Sequence, residues 1–184
     1  MPRRRRLASP RSVDSAGKLY VADRGNHTIR VGDHLPIALT NAASRKIHDD
    51  LTVFDLPLSL SGPTNVECRT GGSGGDDTVI FTFNHDLASA SASVSGGVAS
   101  VASEPVLAGT QVFVELSAVT NAQTVMITLS GVMDNLGQTL VDTNIAVGYL
   151  AGDATGSGIV NASDIGQVKS FSGQAADAAN SAPM

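Results

Sequence analysis

Between residues 44 and 149 one pattern recurs: a short run alternating apolar and polar side chains, then a turn signal. Alternation with period two puts successive side chains on opposite faces, so each run reads as a half-buried strand. In Thr78-Val79-Ile80-Phe81-Thr82-Phe83 one face carries Val79, Phe81 and Phe83. In Gln111-Val112-Phe113-Val114-Glu115-Leu116 it carries Val112, Val114 and Leu116. In Thr124-Val125-Met126-Ile127-Thr128-Leu129 it carries Val125, Ile127 and Leu129, with threonines on the other face. Weaker runs lie at 47–54, 65–69, 90–94, 97–102 and 140–147. Gly96-Gly97, Ala108-Gly109, Asp134-Asn135 and Leu136-Gly137 supply turns between them. Roughly seven to nine short strands at this spacing, with no long amphipathic helix, predict an all-β fold: an immunoglobulin-like antiparallel β-sandwich over residues 41–149. The glycine run Gly71-Gly72-Ser73-Gly74-Gly75 reads as a flexible strand connection, because it lacks the Lys-Ser/Thr ending and following helix of a phosphate loop.

Composition narrows the setting. Charged residues are 16% of the chain and aromatics 4%, with no Trp. The core must therefore be aliphatic, and the low charge with abundant Gly, Ser, Thr and Asn suggests an exported β-protein. Net charge is −5, which argues against a nucleic-acid partner. Cys68 is the single cysteine and reads as a small buried hydrophobe on a strand. No run of about twenty apolar residues is present, so no membrane-spanning helix is expected. Arg3-Arg4-Arg5-Arg6 is followed at once by Leu7-Ala8-Ser9-Pro10, without the apolar stretch of a signal peptide. Residues 1–12 are read as a disordered basic end and 175–184 as a disordered tail. An export signal, if used, is expected upstream of this chain.

Near the C-terminus, residues 153–164 form a twelve-residue loop with oxygen-bearing side chains at its first, third, fifth, ninth and twelfth places: Asp153, Thr155, Ser157, Asn161 and Asp164. Gly158 is sixth, and Ile159 offers a backbone carbonyl at the seventh. A hard cation wants six to eight oxygens and a sharp turn at the sixth residue, so this is a calcium-type pattern. Thr155 and Ser157 stand where carboxylates or amides are usual, and only two carboxylates face the ion. Low ligand charge places the expected Ca²⁺ affinity in the weak range, about 10⁻⁴–10⁻³ M. A short helix should follow over 163–170, with Ile165 and Val168 on one face and Val160 pinning the loop to a core.

These residues resemble the first repeat of a type I dockerin, in which Asp at the twelfth place, a Val-Asn pair and a following helix are usual. Here they are Asp164, Val160-Asn161 and residues 163–170. The resemblance implies a loop and helix over 150–174 that binds Ca²⁺, and a cohesin-like protein or a cell-surface component as partner. It places Ala162, Ser163, Lys169 and Ser170 on the partner-facing side. A complete dockerin has two such repeats, and this chain carries one.

The N-terminal stretch 13–34 reads as a hairpin, with runs at 18–22 and 28–31 around Gly25-Asn26. Tyr20-Val21-Ala22-Asp23, Gly25-Asn26 and Ile29-Arg30-Val31 resemble an NHL repeat, a β-propeller blade. One blade cannot bury its faces alone. Tyr20, Val21, Ile29 and Val31 are therefore expected to dock on the sandwich or to stay exposed. From Asn41 through Gly173 the chain also resembles a family of repetitive bacterial extracellular modules, through Ala43-Ser44-Arg45-Lys46-Ile47-His48, Phe54-Asp55-Leu56-Pro57-Leu58 and Glu67-Cys68-Arg69. That resemblance implies architecture and an extracellular or cell-surface setting.

Catalytic patterns are weak. His48, Asp49, Asp50 and Asp55 could serve a metal only if strands made them converge. Asp76-Asp77 and His85-Asp86 lie at opposite ends of one strand. No Gly-x-Ser-x-Gly elbow precedes a helix, and Gly156-Ser157-Gly158 sits inside the calcium-type loop. Three readings follow: a non-catalytic structural or adhesion module, an accessory module of a polysaccharide-degrading system attached by its tail, and a hydrolase with an unrecognised site. The first is preferred.

Overall fold

The computed structural model describes residues 11–14, 18–33, 35–48 and 52–175. The expectations for residues 1–10 and 176–184 lie outside them. Among the described residues thirteen strands are formed: β1 (Arg11–Val13), β2 (Lys18–Asp23), β3 (Thr28–Asp33), β4 (Leu39–His48), β5 (Thr52–Leu58), β6 (Val66–Glu67), β7 (Asp77–Phe83), β8 (Leu87–Gly96), β9 (Ser100–Val101), β10 (Val106–Ala108), β11 (Gln111–Ser117), β12 (Gln123–Asp134) and β13 (Thr143–Tyr149). A 3-10 turn covers Gly72–Gly74, and α1 spans Ala162–Ser170.

The all-β expectation holds. Strands β10-β11-β7-β4-β5 form one sheet, with β9 also on β11, and β6-β13-β12-β8 form a second. Pairing is antiparallel except between β6 and β13, which run parallel through Val66 and Glu67. One apolar core draws on both sheets. Val79, Phe81, Val112, Val114, Val125, Ile127, Leu129 and Val147 are all fully buried in it. The alternation forecast these faces, because burying one face of each sheet fixes register: a one-residue slip would turn every apolar side chain outward.

Several boundaries differ from the sequence reading. The run at 47–54 is not one strand, since β4 ends at His48 and β5 starts at Thr52, paired as a hairpin. β10 carries no strong alternation and forms because it pairs with β11. Ile80, on the outer face of β7, is also buried, registered between Phe113 and Ala43. The Arg45 guanidinium lies 5.6 Å from the Phe113 ring centroid, so a cation–π contact helps to cover this outer face.

The glycine run is not a free connection. Ala118 N donates to Gly74 O at 2.9 Å and Val119 N to Gly75 O at 3.1 Å, tying it to the turn after β11. Gly75 has φ +63°, and a Cβ there would lie 2.5 Å from Val119 O. Only glycine fits both the left-handed backbone and the close approach.

The N-terminal unit is a three-stranded sheet, β1-β2-β3, so Arg11 and Ser12 belong to a strand rather than to a disordered end. Its turn is built by Asp23, whose carboxylate accepts from Gly25 N, Asn26 Nδ2 and Arg30 Nε. The bonds from Asn26 and Arg30 hold Asp23 below the usual carboxylate range. None of its described side chains is fully buried, and Ile29 and Val31 are 69% and 55% exposed. The cross-strand pairs Tyr20–Val31 and Ala22–Ile29 share one face; Val21 points to the other, so the expected apolar patch is divided.

Candidate functional site

The loop that carries the calcium-type pattern begins four residues after β13. Gly152 N donates to Cys68 O, and Ala151 N to Asn121 Oδ1, which anchors its start to the two-sheet body. Asp153 is completely buried. Its Oδ1 accepts from Ser157 N at 3.0 Å and its Oδ2 from Gly158 N at 2.7 Å. Asp164, 2% exposed, accepts from Thr155 N at 3.0 Å and from Asn161 N at 2.7 Å. Backbone N–H groups thus neutralise both carboxylates in part, and the bond from Asn161 N, together with those from Thr155, holds Asp164 below the usual carboxylate range.

Five of the predicted oxygens are linked in one chain of short contacts. Thr155 Oγ1 lies 3.3 Å from Asp153 Oδ1 and 2.9 Å from Asp164 Oδ1. Ser157 Oγ lies 3.4 Å from Asp153 Oδ1 and 3.1 Å from Ile159 O. Neighbouring oxygens in a shell of radius 2.3–2.6 Å around Ca²⁺ stand at about this separation, so the donor set fits the ion chemically. The sixth, Asn161, meets them through its amide nitrogen, 3.5 Å from Ile159 O, rather than through its oxygen. Asn161 Oδ1 accepts from Ser163 N at 2.7 Å as the N-cap of α1, and Asp164 completes a capping box from the third helical position. Among the described residues no group of three or more His, Cys, Asp or Glu comes together to hold a metal. The loop supplies two carboxylates and relies on hydroxyl and carbonyl oxygens for the rest.

The helix forms as expected, but its apolar side chains do not pack. Ile159, Val160, Ile165 and Val168 are 51–66% exposed, and Asp164 is the only buried residue of α1. Val160 therefore does not pin the loop to a core. The loop is held by its polar network, and the helix by its caps. Ala162, Ser163, Lys169 and Ser170 are all exposed, on the surface where the resemblance puts a partner.

The other constellations resolve differently. Asp55 makes a two-pronged ion pair with Arg45, both bonds at 2.7 Å, on the outer sheet face. Asp49 and Asp50 lie outside the described residues. His85 Nδ1 stands 2.8 Å from Asp134 Oδ2, at the end of the body away from Asp77. Cys68 is half-buried just after β6, and burial pushes its thiol up.

Sequence reasoning missed one cluster. Ser44, Glu67 and Asp77 are buried, and Lys46, Arg69 and Tyr149 surround them. Arg69 donates to Glu67 at 2.7 Å through Nε and 2.6 Å through its terminal nitrogen, and reaches the carbonyls of Phe54 and Ser44. Ser44 Oγ is hydrogen-bonded to Glu67 Oε2, joining β4 to β6 across the two sheets. Polar residues inside predicted strands were the available signal, but nothing in the spacing showed that they met.

A family model for the NHL repeat matches residues 12–31, the stretch that forms β1 to β3. NHL repeats are protein-interaction modules. No curated protein and no solved structure matches the chain. Among the described residues no helix is long and apolar enough to cross a membrane.

Proposed function

We propose that the chain is a non-catalytic extracellular interaction module, attached to a protein partner through a calcium-ordered, dockerin-like loop and helix. The convergence of Asp153, Thr155, Ser157, Ile159 and Asp164 carries this reading. Bound Ca²⁺ supplies charge that holds the loop in one geometry. The chain's part is to orient the oxygens: Asp153 through Ser157 N and Gly158 N, and Asp164 through Asn161 N. The exposed Ile165 and Val168 beside Lys169 and Ser170 form a mixed surface suited to a cohesin-like partner. The NHL repeat at the other end supports an interaction role.

Backbone NMR during Ca²⁺ titration tests the metal step. Shifts should concentrate in residues 153–171 and saturate at millimolar Ca²⁺, and Asp153→Ala or Asp164→Ala should abolish them. Mg²⁺ should compete poorly, because it prefers octahedral geometry and releases water reluctantly. No shift in 153–164 up to about 10 mM would leave the loop a polar turn and sink the proposal.

A further inference from the structure

Four strands from both sheets bring a nucleophile, an acid and their supporting groups to one buried point. Lys46 Nζ, on β4, lies 3.1 Å from Asp77 Oδ1, on the neighbouring β7. The Asp77 side chain is 1% exposed and that of Lys46 15%. Ser44 Oγ stands 3.2 and 3.4 Å from the two Asp77 oxygens and is also bonded to Glu67. Tyr149, 6% exposed, places its hydroxyl beside the Asp77 carboxyl.

We propose that Lys46 and Asp77 condense into an intramolecular isopeptide bond that ties β4 to β7. The Lys46 amine attacks Asp77 Cγ, an N–C bond forms and one Cγ–O bond breaks. The ammonium gives up two protons, and both leave with the departing Asp77 oxygen as one water. A carboxylate and an ammonium become a neutral amide, with no oxidant or reductant involved.

Three features favour the step. Held contact replaces a bimolecular encounter, so the entropy of bringing the two groups together is already spent. A buried ion pair carries the desolvation cost of two charges, and the amide carries neither charge. Burial, the largest influence, pushes the Asp77 carboxyl up despite Lys46, a direction that eases loss of its oxygen as water.

The surroundings have matching parts. Ser44 bridges Asp77 and Glu67, so its hydroxyl can hold the departing Asp77 oxygen in place, and Arg69 fixes Glu67. The Tyr149 hydroxyl, beside the Asp77 carboxyl, can donate to the oxygen on which charge develops. A cavity of about 170 Å³, lined in part by Lys46, Asp77 and Tyr149, gives the water an exit. Two residues at the turn that lines it, Ala118 and Ala122, have φ of +55° and +59°, backbone strain of the kind that collects at functional sites.

The experiment is mass spectrometry on the purified full chain, shown to be folded by circular dichroism, then denatured before injection. The expected mass is one water below that of the sequence, with a branched tryptic peptide joining the Lys46 and Asp77 segments. Lys46→Arg should return the chain to its full mass, and Tyr149→Phe should lower the bonded fraction found soon after synthesis. Full mass in the folded wild type, with Lys46 and Asp77 recovered in separate unmodified peptides, overturns the proposal. So does a water loss that maps elsewhere, such as an aspartimide.

Discussion

Glu67→Ala should be among the most damaging single changes in the two-sheet body. The carboxylate accepts four hydrogen bonds: Arg69 N, Arg69 Nε, a terminal Arg69 nitrogen and Ser44 Oγ. Removing it leaves the Arg69 side chain, 18% exposed, with only the carbonyls of Phe54 and Ser44 as partners. Breaking one side of a buried pair costs about 3–5 kcal/mol, and the partial exposure of Arg69 argues for the lower end, about 3 kcal/mol. For a body of this size that lowers Tm by roughly 10–15 °C. Arg69→Ala should cost a similar amount, because it strands the fully buried Glu67. The double variant should cost clearly less than the sum, since neither charge is then left alone. Urea unfolding followed by circular dichroism measures all three. A Glu67→Ala variant within about 1 kcal/mol of wild type, or strict additivity, would refute the view that the pair acts as one buried unit.

Other changes report on separate parts of the molecule. Ile127→Ala, at a completely buried site between the sheets, should cost about 2–5 kcal/mol in the same urea assay. Asn161→Ala should lose the N-cap of α1 at a cost of about 1 kcal/mol to the helix, seen as faster amide exchange over 162–170 while the body is unchanged. Asp134 is pushed up by burial, but bonds from His85 and from the N–H groups of Gln138 and Leu136 outweigh this and hold it below its ordinary 3.8. Its contribution is therefore complete above that value and lost as pH falls through the lower folded-state pKa. Asp134→Asn should be less stable than wild type near neutrality, with the difference shrinking in acid; a pH-independent difference in urea midpoint would contradict this.

The sequence alone determined the inward faces of the central strands. Val79, Phe81, Val112, Val114, Val125, Ile127 and Leu129 alternate with polar residues, and a half-buried strand cannot hide that alternation. It also determined the polar turn at 153–164, because Asp153, Thr155, Ser157 and Asp164 lie within one segment and local backbone geometry brings their side chains into contact. The boundary between β4 and β5, the outer-face burial of Ile80 and the parallel β6–β13 pairing were left to tertiary structure. Period two says which side chains share a face, not which strand lies beside it. The same limit hid the cluster of Ser44, Lys46, Glu67, Asp77 and Tyr149, whose members come from four strands and are far apart in the chain. The exposure of Ile165 and Val168 is also a tertiary outcome: helical spacing puts them on one face, but among the described residues no element covers it. Local periodicity records the free energy of each element's own faces, whereas convergence between elements depends on sheet order, which no short window of sequence encodes.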